Sequence, residues 1–239
     1  MSTFTKASAS QATGSRAEQR AARLELLARE KQLTRLRDEL AAERRRLPWV
    51  RLEKTYEFDG PDGRVSMLDL FDDASQLIVY HFMMGPGWIE GCPICSFWAD
   101  NFNGTQVHLA QRDAAFVAVS RAPFPEIEAY RQRMGWSFQW VSSAPSDFNF
   151  DFGVSSTPEH PVAGSEYNFR HVDKPMEESP GLSVFARDDA GQIFHTYSTY
   201  SRGLEPINGA YQLLDLAPKG RDEPDLPWTM AWLRRHDSY

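Results

Sequence analysis

Leucines recur at helical spacing in the N-terminal fifth of the chain. Leu26, Leu33, Leu40 and Leu47 are seven residues apart, and no Gly or Pro interrupts residues 16–46. Strong helix formers dominate this stretch, so the pattern predicts one amphipathic helix that ends at the proline after Leu47. Its apolar stripe is expected to pack on the body of the protein or on a second subunit. The two expectations are therefore a helix packed on the rest of the chain and a homodimer formed through the helix.

Farther along the chain, apolar runs alternate with helical periodicity. The runs QLIVYHFMM and AAFVAVSRA are nearly continuous, which is typical of strands buried on both faces, and SFQWVSS predicts a shorter strand. The segments between them, SFWADNFNGTQVHLAQRD and PFPEIEAYRQRMGW, predict helices. This strand–helix–strand–helix–strand order predicts an α/β core with parallel strands and right-handed crossovers.

Hairpins and short helices are predicted on either side of this core. YEFDGPDGRV predicts a hairpin with a Pro-Asp-Gly turn, and LSVFARDDAGQIFHTYSTYS predicts a second hairpin. SMLDLFDD predicts a helical turn. Near the C-terminus, LEPINGAYQLLDLAP and PWTMAWLRRHDSY predict short helices.

Two segments lack regular periodicity. Residues 1–15 are rich in Ser, Thr, Ala and Gln and are expected to be disordered. Residues 144–180 form a long insertion, and an irregular stretch of this length inside a domain is often functional. The predicted organisation is a disordered tail at 1–15, a helical arm at 16–46 and one folded domain at 47–239.

Charge and hydropathy narrow the classes of partner. The net charge of −7 disfavours a nucleic-acid binder, because such proteins usually present a basic surface. No apolar run approaches the roughly 18 to 20 residues of a transmembrane helix, and the N-terminus lacks the apolar stretch of a secretory signal. We therefore expect no nucleic-acid or membrane partner and a cytoplasmic location. Thiols stay reduced there, which favours a catalytic or metal-binding role for a cysteine pair.

The only two cysteines stand in one short stretch, GCPICSFWAD. Cys92 follows a predicted buried strand and a short loop, and it is expected near the first turn of a helix. Unsatisfied N–H groups and a partial positive charge at a helix N-terminus favour a thiolate. Cys95 is one turn farther along the same helical face, within reach of a mixed disulfide at Cys92. The arrangement predicts thiol–disulfide exchange with Cys92 as nucleophile and Cys95 as resolving thiol.

The surroundings of the pair resemble known families. A CxxC after the first core strand resembles the thioredoxin-like superfamily, and CPIC is similar to the CPxC of glutaredoxins. Gly91 stands where thioredoxins carry Trp. Longer motifs resemble the bacterial DUF899 family from about residue 20 to residue 225, among them GCPICSFWADNFNG, RMGWSFQWVSS, DFNFDFGVS, FHTYSTYSRG and LLDLAPKGRDE.

This resemblance implies a thioredoxin-like three-layer α/β fold with a central mixed sheet, an N-terminal helical arm and a long insertion. It also implies a dithiol–disulfide oxidoreductase that needs no metal or organic cofactor. The catalytic residues would be Cys92 and Cys95. The partner would be a protein or small-molecule thiol or disulfide.

Substrate contacts are expected from three further residues. Thioredoxin-like proteins place a cis-proline beside the CxxC before a later core strand, which would leave the preceding backbone free to pair with a substrate strand. Pro180 is the candidate for this position, and Pro161 is the runner-up. Trp88 is expected to line the approach to the thiols. Arg121, after a core strand, would stabilise a thiolate or anion, with a surface ion pair as its alternative role.

Three alternatives stay open. A zinc site would need two ligands beyond the cysteines. The histidines that could supply them are scattered, and they are His81, His108, His160, His171 and His195. The strand–helix–strand after the pair resembles peroxiredoxins, so a thiol peroxidase is a second alternative, although their PxxxTxxC motif is absent before Cys92. A binding module with inert thiols is the third, because buried Cys often acts as a small hydrophobe.

Overall fold

Helix α1, Arg16–Arg44, begins with a capping box. The computed structural model describes residues 13–160 and 166–239. The backbone N–H of Glu18 donates to Ser15 Oγ, and the Ser15 backbone N–H donates to the Glu18 carboxylate at 2.7 Å. This reciprocal pair satisfies N–H groups that a helix start would otherwise leave open. Residues 1–12 of the predicted disordered tail lie outside the described residues.

The leucine stripe of α1 is not buried. Leu33, Leu36 and Leu40 are 49%, 50% and 41% exposed, and no residue of the helix is buried. The chain divides into two compact units, the first ending at Leu47 and the second spanning Pro48–Tyr239. The expectation that the stripe packs against another surface therefore stays a prediction.

An eight-stranded mixed sheet organises the second unit. Its strands are β1 (Val50–Arg51), β2 (Glu57–Gly60), β3 (Gly63–Ser66), β4 (Gln76–His81), β5 (Ala114–Ser120), β6 (Gln139–Ser142), β9 (Gly181–Arg187) and β10 (Ile193–Tyr200). They lie in the order β1-β10-β9-β4-β5-β6-β2-β3. Strands β4, β5 and β6 are parallel, and all other neighbours are antiparallel. The β2–β3 hairpin and the β9–β10 hairpin are the two hairpins that the turn residues of the sequence predict.

Helices cover one face of this sheet. They are α2 (Pro93–Phe102), α3 (Gln106–Ala110), α4 (Phe124–Arg133) and α6 (Gly209–Leu214), and a separate helical turn, α5 (Phe148–Asp151), lies in the insertion. Helix α2 connects β4 to β5 and helix α4 connects β5 to β6, so both connections move across the sheet in the same direction. Because such crossovers are right-handed, both helices lie on the same face. Trp98 of α2 packs edge-on against Tyr211 of α6.

Strand β4 is buried on both of its faces. Tyr80 packs with the helices in one hydrophobic cluster, whereas Leu77 and Val79 point into a second cluster on the other face. Phe148 of α5 and Phe71 of a 3-10 turn, Asp69–Phe71, belong to that second cluster. The third layer is therefore built from short elements. The predicted thioredoxin-like three-layer fold with a central mixed sheet is confirmed, with a CxxC helix between two central parallel strands.

Three segments differ from their predicted secondary structure. The helix predicted after the cysteines ends at Phe102, because Gly104 adopts a left-handed φ of +86°, and α3 is a separate helix. The tail from Pro227 forms turns and a short 3-10 helix, His236–Ser238, where a helix was predicted. The insertion contains α5 and a small hairpin of β7 (Glu166–Tyr167) and β8 (Arg170–His171).

No helix in the described ranges is both long enough and apolar enough to cross a membrane.

We propose that the leucine stripe of α1 is covered by the same stripe of a second copy. Replacing Leu33 and Leu40 with Glu would bury charge in that contact, so the double variant should sediment as a monomer and the wild type as a dimer. Thr34→Glu adds the same kind of side chain off the stripe and should leave the dimer intact. Analytical ultracentrifugation measures all three, and a monomeric wild type would contradict the proposal.

Candidate functional site

The cysteine pair lies at the start of helix α2, beyond the end of β4. Cys92 is the N-cap residue and Pro93 is the first helical residue, where its missing N–H costs no hydrogen bond. The Cys92 backbone N–H donates to Met83 O at 3.1 Å, and Ser96 N–H donates to Cys92 O at 2.9 Å. The first bond ties the pair to the strand extension, and the second starts the helix. The strand–loop–helix setting is the one that the sequence predicts.

The two sulfurs differ in exposure, and each affects the ionisation of the other. Cys92 is partly buried, whereas Cys95 is 1% exposed. Both are free thiols. The Cys95 side chain lowers the pKa of Cys92, and Cys92 raises the pKa of Cys95. A thiolate on the outer sulfur and a thiol on the inner one is the state that these shifts favour.

The environment of Cys92 favours its ionised form. The pKa of Cys92 is lowered to about 6, mainly by a hydrogen bond from the Cys95 side chain and also by the backbone N–H groups of Cys95 and Ile94. The positive charge of Arg235 acts in the same direction, and burial opposes them all. Cys92 is therefore mainly a thiolate at neutral pH, which is the nucleophilic state.

The environment of Cys95 favours its neutral form. Burial raises the pKa of the Cys95 thiol well above its usual value, and the neighbouring Cys92 raises it further. Hydrogen bonds from the Met83 N–H and the Tyr80 hydroxyl oppose this shift without overcoming it. The Tyr80 hydroxyl also donates to Cys95 O at 3.3 Å. Cys95 thus keeps its proton until Cys92 has reacted.

A cation from the C-terminal segment acts on the site, and no motif in the sequence predicts it. Arg235 donates to Gly91 O at 2.8 Å and to the Tyr130 hydroxyl at 3.1 Å, and it pairs with Glu90 at 2.8 Å. Arg133 bridges the same Glu90 to Asp237. Arg235 is 144 residues from Gly91 in the chain, so no local motif connects the two.

Tight packing explains why Gly stands at position 91. A Cβ there would lie 2.5 Å from the Phe82 ring and 2.7 Å from the Tyr130 ring. Side-chain atoms do not approach this closely, so any larger residue would displace those rings. The Trp that thioredoxins carry before their first cysteine has no room in this fold.

Pro180 is the one of the three predicted substrate-contact residues that shares a cavity with the buried cysteine. It lines a cavity of about 150 Å³ together with Cys95 and Tyr80. The expectation of a cis-proline is wrong for Pro180, because the described residues contain no cis peptide bond. The residue before it has a main-chain partner within the chain, since Ser179 N–H donates to Val154 O at 2.7 Å. Pro161 lies outside the described residues.

Trp88 and Arg121 do not line this cavity. Trp88 packs against the helical cluster and borders a separate groove with Tyr130 and Arg133. Arg121 is buried, pairs with Glu178 and stacks on the Phe150 ring at 4.9 Å. Its ion pair is thus buried, where a surface pair was the alternative expectation. Substrate contacts by these two residues stay predictions.

The larger cavities of the described residues lie away from the cysteines. Four of them, of about 360 to 550 Å³, are lined by neither cysteine. Within residues 13–160 and 166–239, no group of three or more His, Cys, Asp or Glu side chains is placed to share a metal ion. His81, one of the candidate zinc ligands, is buried, and its Nε2 contacts Ser183 Oγ at 2.8 Å.

The chain is similar to a known sequence family and to solved structures. The model of a family described as "Bacterial protein of unknown function (DUF899)" matches residues 8–239. No curated protein sequence matches. Among solved structures, Peroxidoxin BcpB from Mycobacterium tuberculosis is 13% identical, over 70% of this chain and 96% of that chain, with a TM-score of 0.46. Peroxiredoxin Q from Xanthomonas campestris is 12% identical, over 68% and 91%, with a TM-score of 0.45. Likeness at this level assigns no role to any residue of this chain.

The lowered pKa of Cys92 predicts how its reactivity depends on pH. The rate of alkylation by iodoacetamide follows the thiolate fraction, so it should fall as pH drops, with a midpoint near pH 6. An ordinary cysteine would give a midpoint of about 8.5. Mass spectrometry of protein alkylated over a pH series measures this midpoint. A midpoint near 8.5 would contradict a stabilised thiolate at Cys92.

Two neighbouring arginines supply a matched control for that measurement. Arg235→Gln removes the charge that acts on Cys92 and should raise the midpoint. Arg234→Gln removes the same charge one residue earlier, where the side chain donates to Leu233 O, and should leave the midpoint unchanged.

The packing around Gly91 predicts a loss of stability on substitution. Gly91→Ala should lower the free energy of unfolding by about 1–3 kcal/mol, the usual cost of an extra methyl group in a full core. Gly60→Ala is the control, because the nearest atom to a Cβ there is at 3.6 Å. Urea denaturation of both variants measures the difference. Equal midpoints for the two would show that the rings move aside freely.

Proposed function

The chain belongs to the DUF899 family, and we propose that it is a thiol–disulfide oxidoreductase with Cys92 as nucleophile and Cys95 as resolving thiol. One observation carries the proposal, namely a partly buried Cys92 at the N-cap of α2 with a buried Cys95 one turn later, and the pKa of Cys92 is lowered to about 6 in this setting. Thiol–disulfide exchange needs one ionised sulfur in reach of substrate and a second sulfur within reach of the first. The site supplies both.

The reaction proceeds in two displacement steps. The Cys92 thiolate attacks one sulfur of a disulfide RSSR, so that a Cys92–SR bond forms and RS⁻ leaves. The loss of negative charge at Cys92 removes one of the causes that raise the pKa of Cys95, and the leaving RS⁻ takes the Cys95 proton. The Cys95 sulfur then attacks Cys92 and releases the second RS⁻. Two electrons pass from the protein dithiol to the substrate, and a thiol reductant must restore the dithiol.

The position of the pair matches this sequence of steps. Cys95 is one helical turn after Cys92, so its sulfur reaches the inner side of a mixed disulfide at Cys92. Met83 N–H and the Tyr80 hydroxyl lower the pKa of Cys95, against the larger effect of burial. These donors would stabilise the negative charge that develops on Cys95 as it attacks. Each sulfur therefore has its own set of donors for its own step.

Thiolate stabilisation also sets the direction that the site favours. The pKa of Cys92 lies below that of an unfolded cysteine, so above pH 6 the reduced folded state is stabilised, and this contribution is lost as pH falls through 6. A stabilised reduced form makes the disulfide easier to reduce and raises the reduction potential. The site should therefore be more oxidising than an unperturbed dithiol.

A thiol peroxidase would use the same two sulfurs, with the Cys92 thiolate attacking a hydroperoxide oxygen and Cys95 releasing water from the resulting sulfenic acid. The sequence before Cys92, MMGPGWIEG, lacks the PxxxTxxC motif of peroxiredoxins. We therefore place this activity second.

The proposal is tested by trapping the intermediate. Reduced protein mixed with oxidised glutathione should form an internal Cys92–Cys95 disulfide reversibly. Cys95→Ser should stop at a stoichiometric glutathione adduct on Cys92, because the resolving sulfur is gone. Cys92→Ser should form almost none, because the remaining thiol is buried and protonated. Intact-protein mass spectrometry distinguishes the three species.

Two outcomes would reject the proposal. If the wild type forms no reversible disulfide, the dithiol is not redox-active. If Cys92→Ser forms the adduct as readily as Cys95→Ser, the roles of the sulfurs are reversed. The same experiment with hydrogen peroxide in place of oxidised glutathione distinguishes a disulfide oxidoreductase from a thiol peroxidase. A peroxidase should react faster with peroxide than with the disulfide.

A further inference from the structure

The main chain next to the dithiol limits what the substrate can be. This inference rests on the proposed function and concerns the substrate class. A protein substrate bound in extended form makes main-chain hydrogen bonds to an open strand edge. Beside Cys95, the backbone that would offer such bonds is the segment that leads into Pro180, residues 177–179.

That backbone is already paired with the chain itself. Ser179 N–H donates to Val154 O at 2.7 Å, and Ser156 N–H donates to Glu177 O at 3.0 Å. Between them, Ser155 and Glu178 form an antiparallel bridge. We call residues 154–156 the inner strap. It occupies the place where a substrate strand would add.

The Pro180 carbonyl is occupied as well. The Tyr167 hydroxyl donates to Pro180 O at 2.6 Å, and the same hydroxyl accepts from Ser201 N–H at 3.2 Å. The main-chain groups on both sides of the Ser179–Pro180 bond therefore have partners within the chain.

A buried polar network holds the inner strap in place. Ser155 Oγ donates to Glu178 Oε2 at 2.6 Å, and Arg121 Nε donates to Glu178 Oε1 at 2.7 Å. Ser155 is 1% exposed and Glu178 2%, so water cannot replace these bonds. Removing the strap would leave the Glu178 carboxylate buried with one of its oxygens unpaired, which is costly. A peptide would have to supply that energy to displace it.

The cavity beside Cys95 is small and mostly apolar. It measures about 150 Å³, borders Cys95 and Pro180, and its walls include Ile94, Leu204 and Met230. A cavity of about 150 Å³ accepts a group the size of benzene, whereas sites for drug-sized ligands measure about 300–1,000 Å³. A group in this cavity would lie against Cys95, one helical turn from Cys92, which does not itself line the cavity.

We propose that the substrate of the dithiol is a small-molecule disulfide with a compact apolar arm, and that extended peptides are excluded by the inner strap. The arm occupies the cavity beside Cys95 and presents its disulfide to the Cys92 thiolate. Attack forms the Cys92–SR bond and releases RS⁻, and Cys95 then closes the protein disulfide and releases the second thiolate. A thiol reductant restores the dithiol.

Single-turnover kinetics with two probes tests this. Reduced protein is mixed with diethyl disulfide or with insulin, and the Cys92–Cys95 disulfide is followed by quenched alkylation and mass spectrometry. Each rate is divided by the rate of dithiothreitol with the same probe, which corrects for intrinsic reactivity. The normalised rate with diethyl disulfide should exceed that with insulin at least tenfold. An equal or faster reaction with insulin overturns the proposal.

Two isoleucine variants test the cavity. Ile94→Phe fills it and should slow the reaction with diethyl disulfide at least fivefold. The alkylation midpoint of Cys92 should not move, which verifies that the sulfur pair is intact. Ile89→Phe makes the same change at a side chain that is 95% exposed and should alter neither rate. An unchanged rate in Ile94→Phe overturns the cavity assignment. If the wild type forms no disulfide with either probe or with oxidised glutathione, the proposed function itself fails.

Discussion

The mutual influence of the two sulfurs is the interaction on which the chemistry of this site depends. It exists because helix α2 begins at Cys92, which brings a residue three positions later onto the same side one turn away. It also gives the sulfurs opposite protonation states, since the buried Cys95 keeps its proton and donates it toward Cys92. The CxxC spacing alone does not distinguish the two cysteines as nucleophiles. The burial of Cys95 does.

The helix start is in turn fixed by groups from distant parts of the chain. Met83 O, at the extension of β4, accepts from Cys92 N–H, and Gly91 lets the backbone pass against the Phe82 and Tyr130 rings. Arg235 then closes the outer side by binding Gly91 O and Glu90. Each contact constrains the same few backbone atoms. The C-terminal segment is therefore part of the site, although it contributes no reacting atom.

The sequence predicted the elements of the sheet well because both faces of β4 and β5 are buried, which leaves a plain apolar signature. It placed Cys92 and Cys95 at the start of a helix after a core strand because the strand–loop–helix order is local. Arg235 could not be found in this way, since its contact with Gly91 joins residues that are 144 positions apart. The pairing of the backbone before Pro180 was also out of reach, because nothing in the residues around Val154 indicates that they pair with 177–179.

The inner strap also gives the buried ion pair of Arg121 and Glu178 a physical role. Buried ion pairs often contribute little net stability, because desolvation offsets the attraction between the charges, but breaking one is expensive. Here one oxygen of Glu178 binds Arg121 and the other binds Ser155 of the strap. The pair therefore acts less as a source of stability than as a constraint, since any movement of the strap leaves a carboxylate oxygen buried without a donor. The same constraint that closes the strand edge to peptides leaves the small cavity beside Cys95 as the approach to the thiols.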